Sequence, residues 1–389
     1  MFSLLLAIIY MAFISLGLPD SLLGAAWPVM QPELGVPISY MGIISMIIAL
    51  GTIASSLMSD RLNNKLGTGL VTAISVFLTA AALFGFSASH SFVALCIIAI
   101  PYGLGAGAVD AALNNYVALH YASRHMSWLH CFWGVGAAIS PYIMSYCLSS
   151  GRGWNMGYRS VSIIQIILTI LLFATLPLWK KNDQTSDVPS GEKRKPKRLK
   201  DVLKINGVKL MLFAFFGYCA METTTGLWAS SYLVMSRGID AETAARYASL
   251  FYLGITFGRF LCGFIADKLG DRKLIRIGMA VILTGIVCVC LPLSIKTVAL
   301  AGLIIIGFGC APIYPSIIHS TPANFGAENS QSVIGIQMAS AYTGSTFMPP
   351  LFGLIANHIS ISLFPEFLLI FAVLMAVMTE LLNKKIQVD

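Results

Sequence analysis

Long apolar runs separated by short polar ones dominate this chain. A bilayer-crossing helix needs about 20 predominantly apolar residues, and twelve runs of roughly that length follow one another: 2–30, 40–59, 67–89, 92–119, 128–149, 158–179, 208–235, 244–266, 274–293, 297–318, 332–357 and 363–382. The pattern predicts an all-α polytopic membrane protein with twelve transmembrane helices. One polar stretch, KKNDQTSDVPSGEKRKPKRLKDVLK, is far longer than the others and falls between the sixth and seventh runs. It divides the chain into an N-terminal bundle at 1–179, a basic cytoplasmic linker at 180–207 and a C-terminal bundle at 208–389.

Composition agrees with the pattern. Of 389 residues, 57% are hydrophobic and 11% charged, with a mean hydropathy of +0.79, so the bilayer is the expected solvent. A net charge of +8 would suggest nucleic acid if it were spread over a surface, but ten of the 25 basic residues lie between Lys180 and Lys209. Topology explains that clustering better, and no nucleic-acid partner is expected. With both termini in the cytoplasm, 20 of the 25 Lys and Arg fall on the inner side, counting Arg259 in the inner half of its helix, and five (Arg152, Arg159, Arg237, Arg246, Lys296) fall outside. All eight cysteines lie in predicted spans, which argues against a disulfide framework or a zinc site. The N-terminus has no basic region ahead of its apolar stretch, so it is expected to stay as the first helix.

The two halves repeat. Asp20, Gly24 and Trp27 in the first run have counterparts in Glu222, Gly226 and Trp228 of the seventh. Asp60 corresponds to Asp267, Gly103-x-Gly105 to Gly307-x-Gly309, and Gly136-x4-Pro141 to Gly344-x4-Pro349, and across all these pairs the offsets stay between 201 and 208 residues. Two parallel six-helix bundles are therefore expected, with a site between them near the midplane.

The loop after the eighth run, GFIADKLGDRK, resembles the G-x3-D-(R/K)-x-G-x-(R/K)-(R/K) signature of the major facilitator superfamily at every position: Gly263, Asp267, Lys268, Gly270, Arg272 and Lys273. Its first-half copy, SLMSDRLNNK, keeps Asp60, Arg61 and Lys65 but has Ser56 and Asn63 where the signature has glycine. An acid at a helix end followed by basic residues suits a charge network that gates the cytoplasmic face.

Within the fourth run, PYGLGAGAVDAALNNYVA places Asp110, Asn114 and Asn115 at membrane depth. A carboxylate there should face a polar cavity, and Asp110 and Asn114, four apart, share a helix face. Asp20, the Gly105-x-Gly107-x2-Asp110-x3-Asn114 pattern, LHCFWGVGAAISP, METTTGLWASSYL and GFGCAPIYP together resemble the fucose permease-like sugar:proton symporter family. That resemblance implies a protonatable coupling group at Asp20 and a sugar site at Asp110 and Asn114.

The residue chemistry points the same way. Burial favours the neutral form of a carboxylate, so Asp20, Asp110 and Glu222 are the candidates for proton exchange, and Glu222 alternatively meets a sugar hydroxyl. Sugars present hydroxyls at their edge and C–H groups on their faces. Asn114, Asn115, His130 and Gln337 suit the first, Trp27, Trp133 and Trp228 the second, and Tyr314, at the repeat position of Asp110, is a further hydroxyl donor. Pro312 with Pro315, and Pro349 with Pro350, predict broken or bendable tenth and eleventh helices.

The expected function is proton-coupled import of a hexose or similar neutral sugar by alternating access, with sodium as an alternative coupling ion. No metal or organic cofactor is expected; the protein is read as a monomer in a bacterial plasma membrane. Efflux of a hydrophobic compound in exchange for protons is an alternative, although Ser140-Pro141 and Met144-Ser145 stand where the antiporter signature has G-P and G-G. A sugar receptor that does not transport is another. No HExxH, G-x-S-x-G or nucleotide-binding glycine loop points to an enzyme or to ATP as the energy source.

Overall fold

The computed structural model describes residues 4–179, 197–239, 241–291 and 296–386, and among these every regular element is helical. Two compact units are present. The first contains Met1–Tyr116 and Leu129–Lys197, and the second Val117–Trp128 and Arg198–Asp389. Most of the predicted linker, residues 180–196, lies outside the described residues.

In the first unit the opening span is two helices, α1 (Leu4–Gly17) and α2 (Leu22–Leu34), followed by α3 (Met41–Leu66), α4 (Thr68–Ala88), α5 (Phe92–His120), α6 (Ser123–Ser149) and α7 (Gly153–Ala174). The first apolar run predicts a single helix there. Pro19, which has no N–H to donate, follows Gly17, and the backbone opens into a turn before α2 resumes. The residues beyond the break pack in an apolar cluster with Leu22, Trp27, Met30, Ile44, Phe86 and Trp154.

The second unit contains the short α8 (Leu199–Val202), then α9 (Val208–Met235), α10 (Ala241–Leu269), α11 (Asp271–Cys290), α12 (Lys296–Cys310), α13 (Ile313–His319), α14 (Thr321–Phe325), α15 (Ala327–Ile355) and α16 (Phe364–Ile386). The tenth span breaks before Ile313, as Pro312 and Pro315 predict. The eleventh does not: α15 runs continuously through Pro349 and Pro350, as α5 does through Pro101. A proline inside a membrane helix is tolerated where neighbouring helices and local adjustments satisfy the freed groups.

Among the described residues, eleven helical stretches are long and apolar enough to cross a bilayer, against twelve predicted. The difference lies at the end of the chain, where α15, a π-helical turn (Ala356–Ser360), a 3-10 turn (Ile361–Leu363) and α16 form one stretch of 60 residues. A straight helix of that length would measure about 90 Å, some three times the hydrocarbon thickness. The stretch therefore holds two spans joined without an irregular loop.

The glycines that mark the repeat mark equivalent helix crossings. A Cβ on Gly136 would lie 2.1 Å from the Ile14 carbonyl oxygen, and one on Gly344 2.7 Å from that of Phe216. Likewise a Cβ on Gly103 would lie 2.3 Å from the Ile48 carbonyl oxygen, and one on Gly307 2.3 Å from that of Phe251. Each glycine thus lets a neighbouring backbone come closer than any side chain allows. Between α3 and α5 the contact is reinforced by hydroxyls: Thr52 Oγ1 donates to the Gly103 carbonyl at 3.2 Å and Ser56 Oγ to that of Gly107 at 3.2 Å.

Candidate functional site

The break between α1 and α2 places Asp20 in the first unit's polar cluster. Its flanks, Leu18 and Leu22, are buried, while Asp20 itself is exposed. Two hydrogen bonds between the break and α6 hold it: Trp133 Nε1 donates to Asp20 Oδ2 at 2.9 Å, and Ser21 Oγ donates to the Ala137 carbonyl at 2.7 Å. The close Gly136–Ile14 crossing brings α6 near enough for both.

Asp110 is buried on α5, within electrostatic reach of Asp20. Asn114 Nδ2 donates to its carboxylate at 2.8 Å and to its carbonyl at 3.0 Å, so the spacing of four does put the two on one face. His130 Nε2, on α6, lies 3.1 Å from Asn114 Oδ1, and as the amide oxygen can only accept, this nitrogen carries the proton. Phe13 meets the imidazole edge-on with centroids 5.4 Å apart. Asp20, Trp133, Asp110, Asn114 and His130 are thereby gathered in one unit, with Asn115 buried beside them on α5. Trp27 is not with them; it packs in the apolar cluster.

The polar centre of the second unit is a pair. Glu222 Oε1, on α9, lies 3.4 Å from Arg259 Nη2, on α10. Arg259 is buried midway along the apolar stretch Ser249–Leu269. The Arg259 guanidinium carbon lies 5.9 Å from the centroid of the Tyr314 ring. Tyr218, one turn before Glu222, donates to the Cys310 carbonyl at 3.0 Å, satisfying a carbonyl at the frayed end of α12. Tyr314 Oη contacts Met338 Sδ at 3.5 Å. Gln337 is fully buried and accepts a hydrogen bond from Thr321 Oγ1 at 3.1 Å. Trp228 donates to the Pro349 carbonyl at 3.0 Å and packs on Phe352, a tie between α9 and α15. Arg259 and Tyr218 escaped the sequence reading; an arginine one span away from an intramembrane glutamate was the available signal.

At the predicted gating loop the segment Val117–Trp128 packs with the second unit. Arg124 Nε lies 2.5 Å from Asp267 Oδ2, and its backbone N–H donates to Oδ1 at 3.0 Å. Asp271, absent from the predicted set, accepts from Ser123 Oγ at 2.6 Å and lies 2.6 Å from His319 Nδ1; His319 Nε2 donates to the Tyr121 carbonyl at 3.1 Å. Gly263 leaves room for the Trp128 indole, which a Cβ would meet at 1.9 Å. Lys268 and Lys273 are exposed and Arg272 half-buried.

Gly270 adopts φ +76° at the turn into α11, and Gly67 adopts φ +78° at the turn into α4. The first-half motif has therefore kept its turn glycine, moved one helical turn later, which is why Asn63 occupies the signature position inside α3. Asp60 accepts from Asn64 Nδ2 at 2.9 Å, and Arg61 is exposed.

Asp271→Ala is expected to loosen the gating segment, because it strips Ser123 and His319 of a shared acceptor at about 1–3 kcal/mol for each buried group left unsatisfied. Faster amide exchange across 117–128, with α9 unchanged, is the expected readout. Unchanged exchange there would show that the contacts carry no weight.

A profile described as the Major Facilitator Superfamily matches residues 9–328 and 248–383. The chain belongs to this superfamily. It is therefore an integral membrane transporter of a small molecule and not an enzyme. This superfamily member is 22% identical to Bypass of stop codon protein 6 of Saccharomyces cerevisiae over 67% of the chain, a match spanning only 56% of that relative. It is 25% identical to the cis,cis-muconate transport protein of Acinetobacter baylyi over 81% of the chain and 77% of the relative. With the hexuronate transporter of Bacillus subtilis the identity is 26%, over 74% and 69%. Among solved structures, a variant of the E. coli fucose:proton symporter FucP aligns with a TM-score of 0.72 at 16% identity, over 98% of both chains. The proton:xylose symporter XylE aligns with 0.77 at 11%, over 98% of this chain and 95% of that one. At such identities the structural matches establish the superfamily fold alone.

Proposed function

We propose that this protein is a secondary active transporter that imports a hexose or similar sugar together with a proton, by alternating access. The observation that carries the reading is the first unit's polar cluster: an accessible carboxylate, Asp20, at a helix break beside the buried Asp110–Asn114–His130 chain. Asp20 would load and release the proton, and Asp110, Asn114 and His130 would meet sugar hydroxyls. Two aligned structures are proton symporters of sugars by name, and two of the relatives are named for cis,cis-muconate and hexuronate, which supports a small, oxygen-rich solute over a lipophilic one. Residence in a bacterial inner membrane with both termini cytoplasmic, a monomeric state and a proton as the coupling ion belong to the same proposal.

The test is uptake by purified protein in proteoliposomes with an internal pH indicator. Substrate-dependent proton entry is the expected result under an inward proton gradient. If no monosaccharide or sugar acid in a broad panel moved protons, symport would be rejected; dependence on a sodium gradient would reassign the ion.

A further inference from the structure

We infer that His319 is a pH-sensitive latch: its doubly protonated imidazole fastens the segment Val117–Trp128 to the rest of the second unit, and loss of one proton loosens that segment. What the latch does to transport rests on the import reading; the latch itself does not.

The geometry fixes the charge on the ring. His319 Nδ1 lies 2.6 Å from Asp271 Oδ2, and Nε2 lies 3.1 Å from the Tyr121 carbonyl oxygen. A carboxylate and a carbonyl only accept, whereas a neutral imidazole has a single N–H to give. Both bonds are therefore made together only by the imidazolium. Asp271 Oδ1 also accepts from Ser123 Oγ at 2.6 Å. One His–Asp pair thus ties the segment down twice, at Tyr121 and at Ser123.

The pair is mostly buried, with the His319 side chain 20% exposed and that of Asp271 15%, so it is not the kind of surface contact that contributes little. The other ion pair of the segment, Arg124 with Asp267, is 50% and 30% exposed and has a cation that does not titrate. It acts at every pH, so the variable tie is His319. Asp271 from α11 and Asp267 from the end of α10 both bear on the imidazole. The basic groups beside them are Lys268, Arg272 and Lys273, and from the segment His125 meets the rings of Tyr121 and Trp128.

His319 follows the tenth apolar run, 297–318. Burial by itself favours the neutral ring, but the hydrogen bond and charge of Asp271, with the Tyr121 carbonyl and Asp267, outweigh it and hold the proton to a pH above the ordinary histidine value. The sign follows. Below the ordinary value, about 6.5, both bonds are complete. As the pH rises through the higher value of the folded protein, one N–H is lost and one tie goes with it.

The two ends of the segment continue into α5 and α6, which carry Asp110, Asn114 and His130. A fastened segment therefore restrains the helices of the first unit's polar cluster. On the import reading the latch faces the cytoplasm, where each cycle delivers a proton. Acid accumulating there fastens the segment and slows the next cycle, which makes His319 a brake on import. The proton on His319 comes from that side and returns to it, so the single transported proton remains that of Asp20.

Amide exchange of the full chain in liposomes, with no solute present, tests the latch. After correction for the intrinsic effect of pH on exchange, residues 117–128 are expected to exchange at least about tenfold faster at about pH 9 than at about pH 6, the weight of one hydrogen bond to a charged group. His319→Gln is expected to exchange fast at both. His319→Arg, a permanent cation with several donors, is expected to exchange slowly at both, and His125→Gln to keep the native response. Unchanged exchange of α9 in each variant checks that the fold is intact. Corrected exchange of 117–128 that does not vary with pH in the native chain would overturn the inference, as would a response that survives in His319→Gln or disappears in His125→Gln. Each of these results leaves the import reading standing, because that reading fails only in the uptake assay.

Discussion

Asp20→Asn is expected to abolish uphill accumulation while leaving exchange of substrate across the membrane intact. With one proton per sugar, each unit of pH gradient can drive about tenfold accumulation; the variant is expected to reach equal concentrations on the two sides and stop. Asparagine preserves the side chain's shape and can still accept from Trp133 Nε1, whose bond to Asp20 Oδ2 measures 2.9 Å, so the break between α1 and α2 keeps its support. What disappears is a group that changes charge. Counterflow, which needs only loaded states, should continue and should lose its pH dependence. Accumulation retained in the variant would move coupling to Glu222 or Asp110.

The second large effect concerns stability. Gly136→Ala is expected to destabilise the fold more than Gly344→Ala, although the two occupy repeat-equivalent crossings, because the added Cβ would sit 2.1 Å from a carbonyl oxygen in the first and 2.7 Å in the second. Both obstacles are backbone, so a helix must shift, at about 1–3 kcal/mol or more. In the first case the displaced carbonyl is that of Ile14, which accepts from the Leu18 N–H at 3.0 Å and so closes α1 just before the break. Gly136→Ala should therefore lower both the unfolding temperature and the transport rate, whereas Gly344→Ala should act mainly on the former. Thermal unfolding in detergent, set beside initial uptake rates, checks this; the reverse order of stability would refute the contact argument.

The spans were legible because hydrocarbon imposes so coarse a rule: about 20 apolar residues, few charges. The ninth-helix boundaries Val208 and Met235 coincide with the predicted seventh run. Proline was the weak signal. Pro19 breaks a helix and Pro349 with Pro350 do not, since the outcome depends on whether neighbours can satisfy the freed backbone, which no local pattern records. In the candidate site, the Asp110–Asn114 contact followed from helical spacing alone. The Trp133–Asp20 bond joins residues 113 apart and needed the crossing of α1 with α6. The three tryptophans read as platforms diverge: Trp133 holds Asp20, Trp27 fills an apolar cluster and Trp228 ties helices together. Arg259 was hidden because a positive charge in the inner half of a helix serves topology by default, and its contact with Glu222 joins residues 37 apart on two helices.

Because Val117–Trp128 folds with the second unit although it is encoded inside the first, the chain cannot be cut into two self-sufficient pieces at its polar middle. A fragment starting at Arg198 would present Asp267, Asp271 and His319 to water without Arg124, Ser123 or Tyr121 to receive them. Co-expressed halves must reassemble by returning a twelve-residue strap to its seat, so split-protein complementation in this transporter becomes a peptide-docking event.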